Sequence, residues 1–252
     1  MKLLILAAGY ATRLYPVTRD TPKPLLPVAG RPMIEHVLDN LLPAGPMDRV
    51  YVVTNARFAG HFDRWAAHYR ADKAPVAFTI VNDGSTDDAN KLGAIGDLHF
   101  VLNHERVDDD LMVVAGDNLF SQPLGEFGQF CRAHRSPVLA LYDVGDLELV
   151  KKYNAVETDA DGRVTRFEEK APDPHSTLTG IALYFYPREI LPRVQEYIAA
   201  GNNPDQPGRL IQWLHPRVPV LTWRVPGLWY DIGSFAQLEE ANRIFARQTP
   251  AA

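Results

Sequence analysis

The sequence predicts an α/β protein with a doubly wound, mostly parallel sheet and a mixed, partly antiparallel C-terminal half. As far as Tyr142, short apolar runs alternate with segments whose apolar residues recur at helical spacing. This alternation is typical of parallel strands joined by right-handed crossover helices. After Val144, strand patterns follow one another directly, and two of them flank a tight turn. We therefore expect a single domain over residues 1–252, with halves at residues 1–144 and 145–252.

The first half begins with a continuous apolar run over residues 2–8, as expected of a central strand covered on both faces. Pro32 then opens a helix whose apolar residues follow the i, i+3, i+4, i+7 spacing. The alternation continues with strands at 50–54, 76–81, 111–115 and 138–142, and with helices around 58–69, 92–102 and 123–134.

The second half begins with a predicted hairpin, in which residues 155–158 and 163–167 flank Asp159-Ala160-Asp161-Gly162. Further strands are predicted at 179–186 and 218–225, and Ser234 is placed to cap a last helix. The segment 201–208, rich in Asn, Pro and Gly, is predicted to be an exposed loop.

Composition excludes several classes of protein. Hydrophobic residues make up 46% of the chain and charged residues 23%, as in folded globular proteins. The formal charge is −5 and the longest basic run is Lys151-Lys152, which disfavours nucleic-acid binding. The single cysteine, Cys131, excludes an internal disulfide and is predicted to be a core residue, in keeping with a reducing cytoplasm.

No apolar stretch approaches the roughly 20 residues that cross a bilayer. The first eight residues resemble a short signal peptide, but their apolar part is brief and Arg13 follows soon after. A buried first strand explains them better. We expect a cytoplasmic protein with neither a membrane nor a nucleic-acid partner.

The loop after the first strand is the first place to look for a binding site, because open α/β sheets bind ligands beyond the carboxyl ends of their strands. It has neither the dinucleotide-binding nor the P-loop glycine pattern, which disfavours a dehydrogenase and a P-loop ATPase. It does offer small residues for close backbone approach and two cations, Arg13 and Lys23, ten positions apart. Such a combination suits a triphosphate.

The stretch Gly9-Tyr10-Ala11-Thr12-Arg13, followed by nine residues and Lys23, resembles the G-x-G-T-R-x9-K signature of the sugar nucleotidyltransferases. These enzymes are also called nucleoside-diphosphate-sugar pyrophosphorylases, and glucose-1-phosphate thymidylyltransferases are among them. Later segments resemble the same family in the same order: Gly116-Asp117, Phe167-Glu168-Glu169-Lys170 and Trp229-Tyr230-Asp231. The resemblance covers residues 2 to about 245.

The resemblance implies a Rossmann-like fold and the magnesium-dependent transfer of a nucleotidyl group from a nucleoside triphosphate to a sugar 1-phosphate, releasing pyrophosphate. It also implies roles for individual residues. Arg13, Lys23 and Lys170 would be catalytic, and Asp117 and Asp231 would bind Mg²⁺. The implied nucleotide-binding residues are Ala7, Ala8, Gly9, Tyr10, Ala11, Thr12, Asn82 and Gly93, and the implied sugar-binding residues are Asn154, Glu169, Thr179 and Gly180.

The sequence departs from the family pattern in a few places. Asn90-Lys91 stand where the family has Gly-Thr, and Asn154 and Ala171 replace a glycine and a proline. Ala8 and Ala11 replace glycines of the phosphate loop, and because alanine favours negative φ we expect a stiffer loop. These departures leave the base and the sugar open, with dTTP or UTP preferred.

Two alternatives remain beside the sugar-1-phosphate nucleotidyltransferase. One is a cytidylyltransferase that acts on a phosphorylated amino-alcohol such as phosphocholine, although Glu169-Lys170 and the long C-terminal half favour a sugar. The other is a catalytically silent relative that binds nucleotide sugars, although the two aspartates and three cations favour catalysis. The sequence is compatible with a monomer or a homodimer.

Overall fold

The computed structural model describes residues 1–72 and 76–247. The strands of the described chain are β1 (Lys2–Leu6), β2 (Pro27–Val28), β3 (Arg31–Pro32), β4 (Arg49–Thr54), β5 (Ala77–Asn82), β6 (Leu111–Ala115), β7 (Asn118–Phe120), β8 (Val138–Asp143), β9 (Asn154–Thr158), β10 (Val164–Glu169), β11 (Leu178–Tyr186), β12 (Leu221–Arg224) and β13 (Trp229–Asp231).

The α-helices are α1 (Met33–Leu41), α2 (Ala59–Asp72), α3 (Ala94–His104), α4 (Gly125–His134), α5 (Leu147–Val150), α6 (Pro192–Ala199), α7 (Gly208–Leu214) and α8 (Phe235–Ala246). Short 3-10 helices lie at Thr12–Leu14, Lys23–Leu25, Leu42–Ala44 and Arg188–Ile190.

The chain divides into two compact units. The first unit comprises Met1–Lys91, Val114–Glu126 and Pro226–Ala252, and the second comprises Leu92–Val113 and Phe127–Val225. Each unit therefore takes residues from both sides of residue 144, and β6 contributes residues to both.

In the first unit, the strand order is β6-β1-β4-β5. The pairs β1–β4 and β4–β5 are parallel, with Lys2 opposite Arg49 and Thr54 opposite Asn82 at the two ends. Consecutive residues of a strand point to opposite faces, yet Leu3, Leu4 and Ile5 are all completely buried. Both faces of β1 are thus covered, as its continuous apolar run predicts, and the loops after the parallel strands meet at one edge.

In the second unit, the strand order is β12-β8-β11-β6. The β8–β12 pair is parallel, whereas β11 runs antiparallel to β8. Strands β9 and β10 form the predicted antiparallel hairpin, and Gly162 adopts a positive φ of 75° in its turn. The sequence prediction of an α/β fold with a mostly parallel sheet and a mixed C-terminal half is confirmed.

Several local predictions are also confirmed. Cys131 is completely buried, and burial raises the pKa of its thiol well above its ordinary value. Ser234 caps α8, where its side chain accepts a hydrogen bond from the Gln237 amide. The predicted exposed loop at 201–208 is wrong at its end, because Gly208 is buried and begins α7.

Among the described helices, none combines the length and the apolar character that a membrane span requires.

Candidate functional site

The phosphate loop predicted from the sequence follows β1 in the first unit. Ala7 and Ala8 are buried, Gly9 is exposed, and the next turn leads into the 3-10 helix that begins at Thr12. The Asn55 side chain donates a hydrogen bond of 2.9 Å to the Ala8 carbonyl, which ties the loop to the end of β4. The backbone of the loop is therefore held in place, its two alanines are buried, and Gly9 lies at the surface.

Ala11 corrects the expectation of a negative φ in this loop. Its φ and ψ are 47° and 43°, in the left-handed region that normally favours glycine. Its carbonyl accepts hydrogen bonds from the Thr18 hydroxyl at 2.8 Å and from the Leu14 amide at 2.9 Å. The surrounding hydrogen bonds thus hold alanine in the conformation that a glycine would adopt.

Three charged side chains of the first unit converge beyond this loop. The Lys23 Nζ lies 2.5 Å from Asp117 Oδ2 and 3.7 Å from Asp231 Oδ1. The Lys23 side chain is 12% exposed, whereas those of Asp117 and Asp231 are 25% and 39% exposed. The carboxylates thus remain accessible to a ligand while the ammonium between them is largely covered.

A tight turn at Gly116 and a pair of short strands bring Asp117 and Asp231 to Lys23. Asp117 follows the turn at Gly116, where a Cβ would lie only 3.0 Å from Pro24 Cγ and 3.1 Å from Ile5 Cγ2. The absent side chain lets the turn pack against Pro24, the neighbour of Lys23. Asp231 arrives through the antiparallel pairing of β7 with β13, in which it lies opposite Asn118. The sequence motifs named these residues, but the short strands β7 and β13 that join them were not predicted.

The electrostatics of the cluster favour additional positive charge. Burial raises the pKa of Asp231, and the negative charge of Asp117 raises it further. Burial lowers the pKa of Lys23, but the two carboxylates outweigh this effect and the net shift is upward. Arg13, which is exposed, is close enough for its charge to oppose both net shifts. The charges of Asp117 and Asp231 are thus balanced by Lys23 and, to a smaller extent, by Arg13.

The donor set of this cluster fits a magnesium ion that is bound together with phosphates. Asp117 and Asp231 provide hard carboxylate oxygens, and Mg²⁺ in nucleotide sites is typically held by one or two carboxylates, waters and substrate phosphates. Within residues 1–72 and 76–247, no group of three or more His, Cys, Asp or Glu gathers in a metal-binding arrangement. A two-carboxylate site is therefore the one that this cluster can supply.

The segment after β5, which has no counterpart in the sequence motifs, forms a polar loop beside Tyr10. The Ser85 hydroxyl donates to Asp83 Oδ1 at 2.7 Å, and both residues are buried. Tyr10 is also buried and lies close to Ser85, while the exposed Asn82 uses its Oδ1 to accept from the Gly84 amide. Sequence analysis identified Tyr10 and Asn82 but missed Asp83 and Ser85, for which the polar run after β5 is the available signal.

The second unit contains a separate group of candidate residues around Asn154. Its Oδ1 accepts from the Gly180 amide at 2.6 Å, and its Nδ2 donates to the Gly180 carbonyl at 2.8 Å. The Thr179 hydroxyl also donates to Asn154 Oδ1, at 3.3 Å. The amide that replaces the family's glycine therefore joins β9 to β11 through hydrogen bonds.

Glu169 ends the β10 strand of this unit, and Lys170 lies in the turn that follows. Burial raises the pKa of Glu169, and the nearby charges of Arg209 and Lys170 oppose this shift. The Lys170 side chain is exposed, and its backbone has a positive φ of 51°, with its amide donating to the Tyr153 carbonyl. Sequence analysis missed Arg209, whose position beside Glu169 becomes visible only in the fold.

Gly208 and Gly93 mark two close backbone approaches in the second unit. A Cβ on Gly208 would lie 2.2 Å from Glu169 Oε1 and 2.6 Å from Phe167 Cζ, so a larger residue at this position would displace both side chains. Gly93 has a φ of 79°, and a Cβ there would lie 2.7 Å from the Pro204 carbonyl oxygen. Sequence analysis named Gly93 but assigned Gly208 only to a loop.

The candidate residues thus fall into two groups. The group in the first unit is Ala7, Ala8, Gly9, Tyr10, Ala11, Thr12, Arg13, Lys23, Asn82, Asp117 and Asp231, and the group in the second unit is Gly93, Asn154, Glu169, Lys170, Thr179 and Gly180.

Comparison with known proteins shows the family to which this chain belongs. The model of the nucleotidyl transferase family matches residues 2–248, nearly the whole chain. The chain belongs to the nucleotidyl transferase family. The resemblance inferred from the phosphate loop and the Gly-Asp segment is therefore confirmed at the level of the family.

Individual members of the nucleotidyl transferase family agree. The UTP–glucose-1-phosphate uridylyltransferase of Haloferax volcanii is 30% identical over 189 residues, which cover 74% of this chain and 72% of that protein. The bifunctional protein GlmU of Methanocaldococcus jannaschii is 23% identical over 96% of this chain, which spans only 54% of its length. Further relatives are named thymidylyl-, guanylyl- and adenylyltransferases.

A solved structure shares the fold. The crystal structure of a putative glucose-1-phosphate thymidylyltransferase from Bacillus anthracis superposes with a TM-score of 0.81 at 22% identity, covering 100% of this chain and 97% of that one. This likeness extends the agreement from sequence to three-dimensional architecture.

Proposed function

We propose that this nucleotidyl transferase moves a nucleotidyl group from a nucleoside triphosphate to a sugar 1-phosphate and releases pyrophosphate, with Mg²⁺ as its metal. The observation that carries the proposal is the convergence of Lys23, Asp117 and Asp231 beyond the phosphate loop. The names of four relatives support the same reaction. They are uridylyl-, guanylyl-, thymidylyl- and adenylyltransferases that act on sugar 1-phosphates.

The reaction forms a bond between an oxygen of the sugar phosphate and the α-phosphorus, and it breaks the bond from the α-phosphorus to the bridging oxygen of pyrophosphate. Because the nucleophile is already anionic, no general base is required. Catalysis of this kind depends on positioning and on the neutralisation of charge.

The first unit supplies residues suited to the triphosphate. The Arg13 guanidinium can bind two phosphate oxygens at once, which suits the β- and γ-phosphates that leave as pyrophosphate. The Lys23 ammonium, a compact charge, suits the α-phosphate. Asp117 and Asp231 would hold Mg²⁺, which when bound lowers the repulsion among the phosphates. The loop residues Ala7–Thr12 would approach the nucleotide with their backbone, together with Asn82.

The second unit supplies residues suited to the sugar phosphate, and Gly93 for the nucleotide. Lys170 would bind the phosphate of the acceptor. Glu169, whose carboxylate lies against Gly208 and near the charges of Arg209 and Lys170, would accept a hydrogen bond from a sugar hydroxyl. Thr179, Gly180 and Asn154 would line the pocket, with Asn154 acting mainly through its hold on the Gly180 backbone.

The base is the least constrained part of the proposal. The relatives are named for the transfer of four different nucleotidyl groups, so family membership alone does not identify the base. We favour dTTP or UTP, a cytoplasmic location, and a monomer or homodimer.

One experiment tests the reaction and its competitors together. Pyrophosphate release is measured with Mg²⁺ for dTTP, UTP, CTP, GTP and ATP, each against several sugar 1-phosphates and against phosphocholine. Release with a sugar 1-phosphate and its loss in Asp117→Asn support the proposal. Release only with CTP and phosphocholine establishes the cytidylyltransferase alternative, and binding of a nucleotide sugar without any release establishes the silent relative.

A further inference from the structure

A short segment at residues 203–208, which ends at the first residue of α7 and is called here the connecting loop, contacts both the predicted nucleotide-binding and the predicted sugar-binding residues of the second unit. At its beginning, the Pro204 carbonyl accepts from the Ile95 amide at 2.8 Å, and the Asp205 carbonyl accepts from the Ala94 amide at 3.1 Å. A Cβ on Gly93 would lie 2.7 Å from both Pro204 O and Asp205 Cα. The Gly93 turn therefore rests directly on the backbone of the connecting loop.

The other end of the connecting loop rests on the sugar-binding group. A Cβ on Gly208 would lie 2.2 Å from Glu169 Oε1 and 2.6 Å from Phe167 Cζ. Gly208 follows Asp205 by three residues, and a chain segment of that length spans at most about 11 Å. The loop residues that contact Gly93 and the loop residue that contacts Glu169 are therefore only a few positions apart in the chain.

Hydrogen bonds restrict how far the connecting loop can absorb such a displacement. The Tyr197 hydroxyl donates to the Asn203 carbonyl at 2.6 Å, which anchors the loop to α6. The Asp205 amide donates to Asn203 Oδ1 at 2.9 Å, and Arg209 Nε donates to Gln206 Oε1 at 2.6 Å. These hydrogen bonds leave the loop little freedom to bend within itself, and Tyr197 anchors it from α6.

We propose that the connecting loop couples the two substrates, so that binding of the nucleotide at Gly93 strengthens binding of the sugar phosphate at Glu169. Tyr197 is the positioning residue of this coupling, since it bonds to the loop and is not among the predicted substrate-binding residues. This inference rests on the proposed function for the identity of the two ligands. When one substrate orders the loop, the second substrate loses less conformational entropy on binding and therefore binds more tightly. The effect is the same whichever substrate binds first.

The test compares the wild-type protein with Tyr197→Phe, which removes only the hydroxyl that holds Asn203. The Kd of a non-hydrolysable nucleotide with a methylene bridge between its α- and β-phosphates is measured by calorimetry, with and without the sugar 1-phosphate. In the wild type, the sugar phosphate is expected to lower this Kd about fivefold or more. In Tyr197→Phe the factor falls below about twofold. Tyr69→Phe, in the first unit, is the matched control and keeps the wild-type factor.

Hydrogen exchange provides a second readout that does not depend on the measurement of a Kd. The Ala94 and Ile95 amides donate to the connecting loop, so the sugar 1-phosphate alone should slow their exchange in the wild type but not in Tyr197→Phe. Equal coupling in both proteins, or independent binding of the two substrates in an active wild type, overturns the coupling and leaves the proposed function intact. A wild type that binds neither substrate overturns the proposed function, and the coupling with it.

Discussion

Lys23 Nζ lies 2.5 Å from Asp117 Oδ2, although 94 positions of sequence separate the two residues. Asp231 Oδ1 lies 3.7 Å from the same ammonium. The ammonium therefore reduces the repulsion between two carboxylates before any substrate arrives. Lys23 thus stabilises the charged cluster, and under the proposed function it would also bind phosphate.

Lys23→Met should impair both tasks. Loss of one charge-stabilising donor typically reduces kcat by about 10²–10³. The melting temperature of the ligand-free protein should also fall by a few degrees, because the partly buried carboxylates lose their counter-ion. Mg²⁺ should raise that temperature more in the variant than in the wild type. The control is Lys151→Met, an exposed lysine paired with Glu148; a Lys23 variant that behaves like it would remove Lys23 from the site.

Asp117→Asn and Asp231→Asn should each abolish most turnover while the protein remains folded. Asparagine keeps the size of the side chain but removes the charge that a shared Mg²⁺ requires. The double variant should be little worse than either single one, because residues that act as a unit are not additive. Activity is measured over a range of Mg²⁺ and Mn²⁺, with partial rescue expected at high metal concentration. Asp173→Asn, whose side chain is 90% exposed, serves as the control, and defects that multiply would show two independent roles.

Arg209→Gln should shift the pH dependence of sugar-phosphate binding. Burial already raises the pKa of Glu169, while the charges of Arg209 and Lys170 lower it, and Tyr184 also faces this carboxylate. Removing Arg209 raises the pKa further, so Glu169 becomes protonated, and loses its acceptor charge, at a higher pH than in the wild type. The KM of the sugar phosphate should therefore begin to rise at a higher pH as the solution is acidified.

The substrate phosphate titrates near pH 6 itself, so the informative quantity is the difference between variant and wild-type profiles. Arg193→Gln, an exposed arginine paired with Glu196, should leave the profile unchanged. Superimposable profiles for Arg209→Gln and the wild type would show that Glu169 does not control binding of the acceptor.

Ala11→Gly should stabilise the protein. Alanine in the left-handed region costs about 1–2 kcal/mol, and the greater freedom of glycine in the unfolded chain offsets about 0.5–1 kcal/mol of the relief. The net gain is then at most about 1.5 kcal/mol, which corresponds to an increase in melting temperature of up to about 6 °C. The matched change Ala8→Gly lies outside the left-handed region and should lower the temperature instead. Equal effects of the two changes would contradict the backbone argument.

Local sequence patterns were sufficient to predict much of the fold. The buried run of β1, the hairpin that turns at Gly162 and the Ser234 cap each depend on a few adjacent residues, so their sequence signals are strong. The motif residues Arg13, Lys23 and Asp117 were also recognisable, because each lies in a segment that resembles the family. Their roles in catalysis remain predictions, as does the division of substrates between the halves 1–144 and 145–252.

The sequence by itself determined the α/β class, the order of its main elements and the candidate residues, because hydrophobic periodicity and short motifs are local properties of the chain. Only the tertiary structure decided that Lys23 lies between two carboxylates, since the three-residue strands β7 and β13 that bring Asp231 there are too short to have a periodicity. The same holds for Gly208 against Glu169 and for the left-handed Ala11. These features depend on contacts and hydrogen bonds with residues that neither periodicity nor motif identifies, and such partners are set by packing.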